Sequence, residues 1–131
     1  MARVLLGEDD RFLRKAAEAS LRKHGHTVLP AVDGEEVLRL ARSEAPALIL
    51  LDLIMPKMQG FEVLRALKDD QQTRAIPVIV LSNLEQEQDR HRAMEAGALA
   101  YLVKGNLSLE NLVARVDAAL AADSSPARED I

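Results

Sequence analysis

The sequence predicts an α/β fold, a doubly wound five-stranded parallel sheet, and three observations carry that expectation. Short aliphatic runs alternate with amphipathic segments along the chain, and such alternation implies parallel strands, which need crossover connections. Two of the runs, Ala47–Leu51 and Val78–Leu81, are nearly unbroken aliphatics, as expected of strands covered on both faces. The length, 131 residues, suits one core flanked by helices.

Each element has its own signal. Val4–Leu6 reads as the first strand, and Leu13, Ala16, Ala17, Ser20 and Leu21 then fall on one face of a helix. Asp10 suits the N-cap of that helix and Gly25 its stop. Thr27–Val32 is the second strand; it contains Pro30, which cannot donate to a ladder and so favours an edge. Asp33 with Glu36 three residues on is a capping box for the second helix. The third strand is followed by Phe61, Leu64 and Leu67 on one helical face, and the fourth by a polar helix. In that helix Glu85 to Arg92 are all polar or charged, and only Leu84, Ala93 and Met94 can anchor it. Ala100–Val103 is the fifth strand, and Leu109, Leu112, Val113, Val116 and Leu120 line the fifth helix, with Ser108 as cap. The strand order 2-1-3-4-5 of flavodoxin-like (βα)5 sheets places the Pro30 strand at an edge. We expect one domain over residues 1–122 and a flexible C-terminal tail over 123–131, where the pattern is lost.

Composition narrows the function classes. Hydrophobic residues make up 48% of the chain, so a folded globule is expected. The net charge of −4 argues against direct binding of nucleic acid or a membrane surface by bulk electrostatics. Without cysteine there is no disulfide, thiolate metal site or Cys nucleophile. No apolar run approaches the ~18 residues that span a bilayer, and acidic residues arrive too early for a signal peptide; the expected location is cytoplasmic. His24, His26 and His91 have no ligand or triad spacing and read as solvated surface histidines.

In an open parallel sheet, ligands bind at the carboxyl ends of the strands. The first strand ends in Glu8-Asp9-Asp10, the third in Asp52, the fourth in Ser82 and the fifth in Lys104. Carboxylates ~5 Å apart at an effective dielectric of ~20 repel by roughly 3 kcal/mol per pair, so Glu8, Asp9 and Asp52 call for a cation. Mg²⁺ fits, because it takes a few carboxylates and leaves sites for water and phosphate oxygens. Lys104 is a compact charge for a phosphoryl oxygen, Ser82 a second donor, and an aspartate can itself form an acyl phosphate.

Four segments carry a family resemblance. Leu-Leu-Asp52-Leu-Ile-Met-Pro-Lys-Met-Gln-Gly60 is similar to the D-x-x-M-P-x-M-x-G phosphoacceptor motif of response regulator receiver domains. Glu8-Asp9-Asp10 resembles their acidic metal-binding pair, Val-Ile-Val-Leu-Ser82 the strand ending in Ser or Thr, and Ala-Tyr101-Leu-Val-Lys104 the strand ending in lysine. The resemblance covers residues 3 to about 121. It implies that Asp52 takes a phosphoryl group from the phosphohistidine of a histidine kinase or phosphotransfer protein. It further implies that Asp9, Asp52 and the backbone carbonyl of Ile54 bind Mg²⁺, with Glu8 acting through metal-bound water. Ser82 and Lys104 would read the phosphoryl oxygens, and Tyr101 would be the switch residue. The surface of helix four, strand five and helix five would meet a downstream protein or output domain, or support a phosphorylation-linked dimer. Two positions depart from the pattern: Gly105 stands where a proline usually follows the lysine, and Asn83 where a small residue usually follows the hydroxyl.

Other readings compete. Ser82 with Glu85 could be a capping box alone, and Tyr101 a half-buried edge aromatic. An aspartate-dependent phosphatase often has a second aspartate two residues after the nucleophile, where this chain has Ile54. A receiver-like adaptor would not need Asp9, Asp52 and Lys104 together, and a flavodoxin-like cofactor binder would need a Ser/Thr/Gly-rich loop after the first strand. The expected role is therefore a self-phosphorylating switch rather than an enzyme acting on a separate substrate.

Overall fold

The computed structural model describes residues 2–83 and 87–123. In chain order, β1 (Arg3–Gly7), α1 (Arg11–Lys23), β2 (Thr27–Ala31), α2 (Gly34–Glu44), β3 (Leu48–Asp52) and α3 (Gly60–Asp69) alternate. β4 (Val78–Ser82), α4 (Glu87–Glu95), β5 (Ala100–Val103), a 3₁₀ turn (Lys104–Asn106) and α5 (Leu109–Asp123) follow. The strands form one parallel sheet in the order β2-β1-β3-β4-β5. This is the flavodoxin-like order expected, and Pro30 lies on the edge strand β2, exposed.

The sheet's two faces divide the core. Leu5, Ile49, Leu51, Val78 and Val80 point to one side, against Val37 and Ala41 of α2, Leu64 and Leu67 of α3 and Ala93 of α4. Val4, Leu6, Leu48, Leu50, Ile79 and Leu81 alternate to the other, against Ala17 and Leu21 of α1 and Leu112, Val113 and Val116 of α5. Every residue of β3 and β4 is buried, which is why those two strands carry no polar alternation until their last residues, Asp52 and Ser82.

Local signals set the helix ends. Asp10 caps α1, its carboxylate accepting from the N–H groups of Phe12 at 2.9 Å and Leu13 at 3.1 Å. Gly25 follows that helix at φ +90°, a conformation that favours glycine. Asp33 accepts from Glu36 N–H at 2.8 Å, while Glu36 reaches back to Val32 N–H at 3.0 Å, one residue further than in the standard capping box. Ser108 accepts from Asn111 N–H at 3.1 Å. Leu84 and Glu85, offered above as anchor and cap for α4, lie outside the described residues, as does 124–131 of the expected tail. Ala93 is the buried residue of α4, so this helix rests on far less apolar contact than α3, which buries Phe61, Val63, Leu64 and Leu67.

One expectation is corrected. His24 and His91 are exposed, but His26 is buried, with Nε2 2.7 Å from Asp117 Oδ1 on α5. The partner lies 91 residues away, so it is the packing of α5 beside α1 that brings Asp117 to this histidine.

The loop after β3 depends on Gly60. Its N–H donates to Leu53 O at 2.8 Å, and a Cβ there would stand 2.3 Å from Leu53 Cα and 2.8 Å from Asp52 O. Alanine would gain up to about 1 kcal/mol of helix propensity, but overpacking against backbone costs about 1–3 kcal/mol. Gly60→Ala should therefore lower stability by about 2 kcal/mol in urea denaturation with an unchanged m-value. An equal or higher midpoint would show that the loop yields freely.

Candidate functional site

Parallel register brings the carboxyl ends of β1, β3, β4 and β5 to one rim. Gly7 pairs with Leu51, Asp52 with Leu81, and Ser82 with Val103, so the residues that follow converge. Glu8 continues β1, its N–H donating to Ala31 O at 3.0 Å. Asp52 is the last residue of β3 and is buried; its Oδ1 accepts from Ile54 N–H at 3.2 Å. Lys104 opens the 3₁₀ turn after β5 and reaches across the rim. Its Nζ donates to Asp52 Oδ2 at 3.0 Å and stands 2.7 Å from Glu8 Oε1. The residue after it is Gly105, and no peptide bond among the described residues is cis.

The rim gathers most of the residues that the sequence singled out. Glu8, Asp9 and Asp52 each place a carboxylate oxygen within 4.8 Å of the others. Glu8 and Asp52 are buried and Asp9 is exposed. Ser82 is fully buried at the end of β4 in the same rim. Asn83 beside it is exposed, and so is the side chain of Ile54. Tyr101 lies lower in β5, opposite Val80, and is 3% exposed rather than half-buried. The guanidinium of Arg90 on α4 sits 5.5 Å from the centre of its ring and donates to its carbonyl at 3.3 Å. Asp10 points away from the cluster into its cap.

Sequence reasoning missed two contacts. One is the sharing of Lys104 between Glu8 and Asp52. The other is Arg14, whose Nη1 donates to the carbonyls of Glu8 at 3.0 Å and Asp9 at 3.2 Å. No motif marks Arg14, which reads as an ordinary residue on the polar side of α1.

The electrostatics leave a deficit. Among the described residues two of the three carboxylates, Glu8 and Asp52, share the ammonium of Lys104, and Glu8 Oε1, though close to it, has no aligned hydrogen bond. Burial pushes the Glu8 carboxyl above its ordinary value and the charge of Asp52 adds to this, while Lys104 and the N–H of Asp10 pull it back. For Lys104, burial acts downward, but its bonds to Glu8 and Asp52 more than offset this and hold the ammonium above 10.5. An all-oxygen donor set with a buried, incompletely satisfied carboxylate oxygen fits a hard divalent cation such as Mg²⁺.

This predicts an inverted pH dependence in the metal-free chain. A carboxyl held above its unfolded value favours the folded state while protonated. That stability is full below the ordinary glutamate value of 4.5 and is lost as pH rises through the raised folded value. Glu8→Gln, which mimics the protonated form and leaves Lys104 paired with Asp52, should be more stable than the wild type at pH 7.5 in EDTA. The gain should disappear near pH 4. A variant that is destabilised at pH 7.5 would show that Lys104 already satisfies Glu8.

Comparison with known proteins agrees with the architecture. The response regulator receiver domain model matches residues 4–117. The chain is 43% identical over 115 residues to the gliding motility regulatory protein of Myxococcus xanthus, covering 88% of this chain and 15% of that protein. It is 40% identical over 121 residues to Protein PilH of Pseudomonas aeruginosa, covering 92% and 99%. The receiver domain of the Francisella response regulator 1452 superposes with a TM-score of 0.86 at 27% identity, covering 93% of this chain and 98% of that one. With its five-stranded parallel sheet and acidic rim, the chain belongs to the receiver domain family of two-component response regulators.

Proposed function

We propose that this receiver accepts a phosphoryl group from a histidine-kinase or phosphotransfer-protein phosphohistidine on Asp52. The observation that carries the reading is the position of Asp52: buried at the end of β3, 3.0 Å from Lys104 Nζ and within 4.8 Å of the Glu8 and Asp9 carboxylates. An Asp52 carboxylate oxygen would attack phosphorus as the bond from phosphorus to the imidazole nitrogen breaks, the electron pair leaving with the imidazole. The phosphoryl group carries its negative oxygens into the rim, and Lys104 and Ser82 would meet them there. Bound Mg²⁺, held by Asp9, Asp52 and the Ile54 carbonyl with Glu8 acting through water, would neutralise the remaining charge. This is a signalling switch that catalyses its own phosphorylation and hydrolysis.

The output would leave through α4, β5 and α5. Arg90, Met94, Leu99, Tyr101 and Arg115 line a groove there, and α4 is thinly anchored, as elements that shift in switching are. We assign the receiver to residues 1–122 and a tail to 123–131, its first residue, Asp123, still closing α5. It would work in the cytoplasm with a downstream protein or output domain, and a phosphorylation-linked dimer is compatible with the same face.

Incubation with Mg²⁺ and acetyl phosphate, followed by intact-mass measurement, tests the assignment. The wild type should gain one phosphoryl mass, EDTA should abolish the gain, and Asp52→Asn should show at least a tenfold lower yield. A gain that persists in Asp52→Asn, or that EDTA leaves undiminished, overturns the reading.

A further inference from the structure

Three consecutive carbonyls of the acidic segment end on one residue. Arg14 Nη1 donates to Glu8 O at 3.0 Å and to Asp9 O at 3.2 Å, and the backbone N–H of Arg14 donates to Asp10 O at 2.9 Å. β1 has ended at Gly7, so at Glu8 and Asp9 the chain runs between strand and helix, where a side chain can supply donors that a ladder or helix would otherwise provide.

Arg14 also does something unexpected for a guanidinium among carboxylates. Glu8, Asp9 and Asp10 precede it and Glu18 lies one turn on, yet among the described residues it forms no ion pair. Glu18 pairs with Arg22 at 2.8 Å instead. The donors of Arg14 go to backbone oxygens, which holds the path of the chain without engaging the carboxylates of Glu8 and Asp9. The path matters because Glu8 Oε2 is itself oriented by the N–H of Asp10 at 3.1 Å. Rotation of the Glu8 or Asp9 peptide would therefore move both carboxylates relative to Asp52.

We infer that Arg14 is a positioning residue for the divalent-cation site: by clamping the carbonyls of Glu8 and Asp9 it aims their carboxylates at Asp52. The inference rests on the receiver reading for the existence of that site. Its sign separates it from simple electrostatics. A positive side chain near a cation site repels the cation, so on charge alone its removal would tighten binding. Loss of positioning would weaken it.

The test uses Mn²⁺ as probe, with free ion measured by electron paramagnetic resonance, on the full chain as wild type, Asp52→Asn and Arg14→Met. Arg14→Met keeps an apolar stem but removes the donors. It should bind Mn²⁺ about tenfold more weakly than wild type, and its amides at Glu8–Asp10 should exchange faster with solvent in the metal-free state. With acetyl phosphate, its half-saturating Mg²⁺ should rise by a similar factor while the rate at saturating Mg²⁺ stays near wild type, a split that general loss of structure would not give. Should Arg14→Met fail to fold, Arg14→Lys carries the same expectation of weaker binding, because the lysine side chain ends one bond short of Nη1, the atom that meets both carbonyls. Equal or tighter Mn²⁺ binding in the folded variant overturns the role of Arg14 alone. A wild type that binds no Mn²⁺, or binds it equally well as Asp52→Asn, overturns the receiver reading of the site and this inference with it.

Discussion

Three carboxylates and one ammonium share the rim of a sheet whose core is largely aliphatic. Lys104 joins β5 to β1 and β3 by touching Glu8 and Asp52 together, and it does so where burial works against the charges of Glu8 and of Lys104 itself. Two like charges at this spacing repel by roughly 3 kcal/mol at an effective dielectric of ~20, so one ammonium divided between two buried acids leaves the rim short of positive charge. That shortage is what the proposed divalent cation would relieve, leaving Lys104 to meet the oxygens of a phosphoryl group. The rest of the architecture makes the shortage tolerable: fully buried β3 and β4 and helices on both faces hold the strand ends in place.

Much of this was legible in the sequence because it rests on short-range rules. Unbroken aliphatic runs identify β3 and β4, Pro30 identifies the edge strand, and Asp10, Asp33 and Ser108 mark helix starts that the structure reproduces. Placing Glu8, Asp9, Asp52, Ser82 and Lys104 at one rim required only the strand order and the rule that parallel strands end on the same side. The glycine of the phosphoacceptor motif has a plain physical reason, since backbone atoms of Leu53 and Asp52 occupy the space that a side chain would need.

The rest depends on packing that periodicity does not encode. His26 looks like any polar residue in a turn, and only Asp117 across the fold draws it inward. Tyr101 could be read as an edge aromatic, but it is covered, and Arg90 lies over its ring. Arg14 occupies a helix position where arginine is ordinary; its bonds to two carbonyls arise because α1 begins directly beneath the acidic segment. Gly105 follows Lys104 in place of the family's usual proline, and Lys104 still reaches both acids.

The central claim is that the acidic rim lacks positive charge and that a divalent cation supplies it. Thermal unfolding of the chain against Mg²⁺ at constant ionic strength tests this most directly, with Asp9→Asn beside the wild type. At ten times the dissociation constant the ion should add about 1.4 kcal/mol, raising the midpoint by about 5 °C, with a clearly smaller rise in Asp9→Asn. A midpoint that does not move with Mg²⁺, or that moves equally in both proteins, would contradict the account.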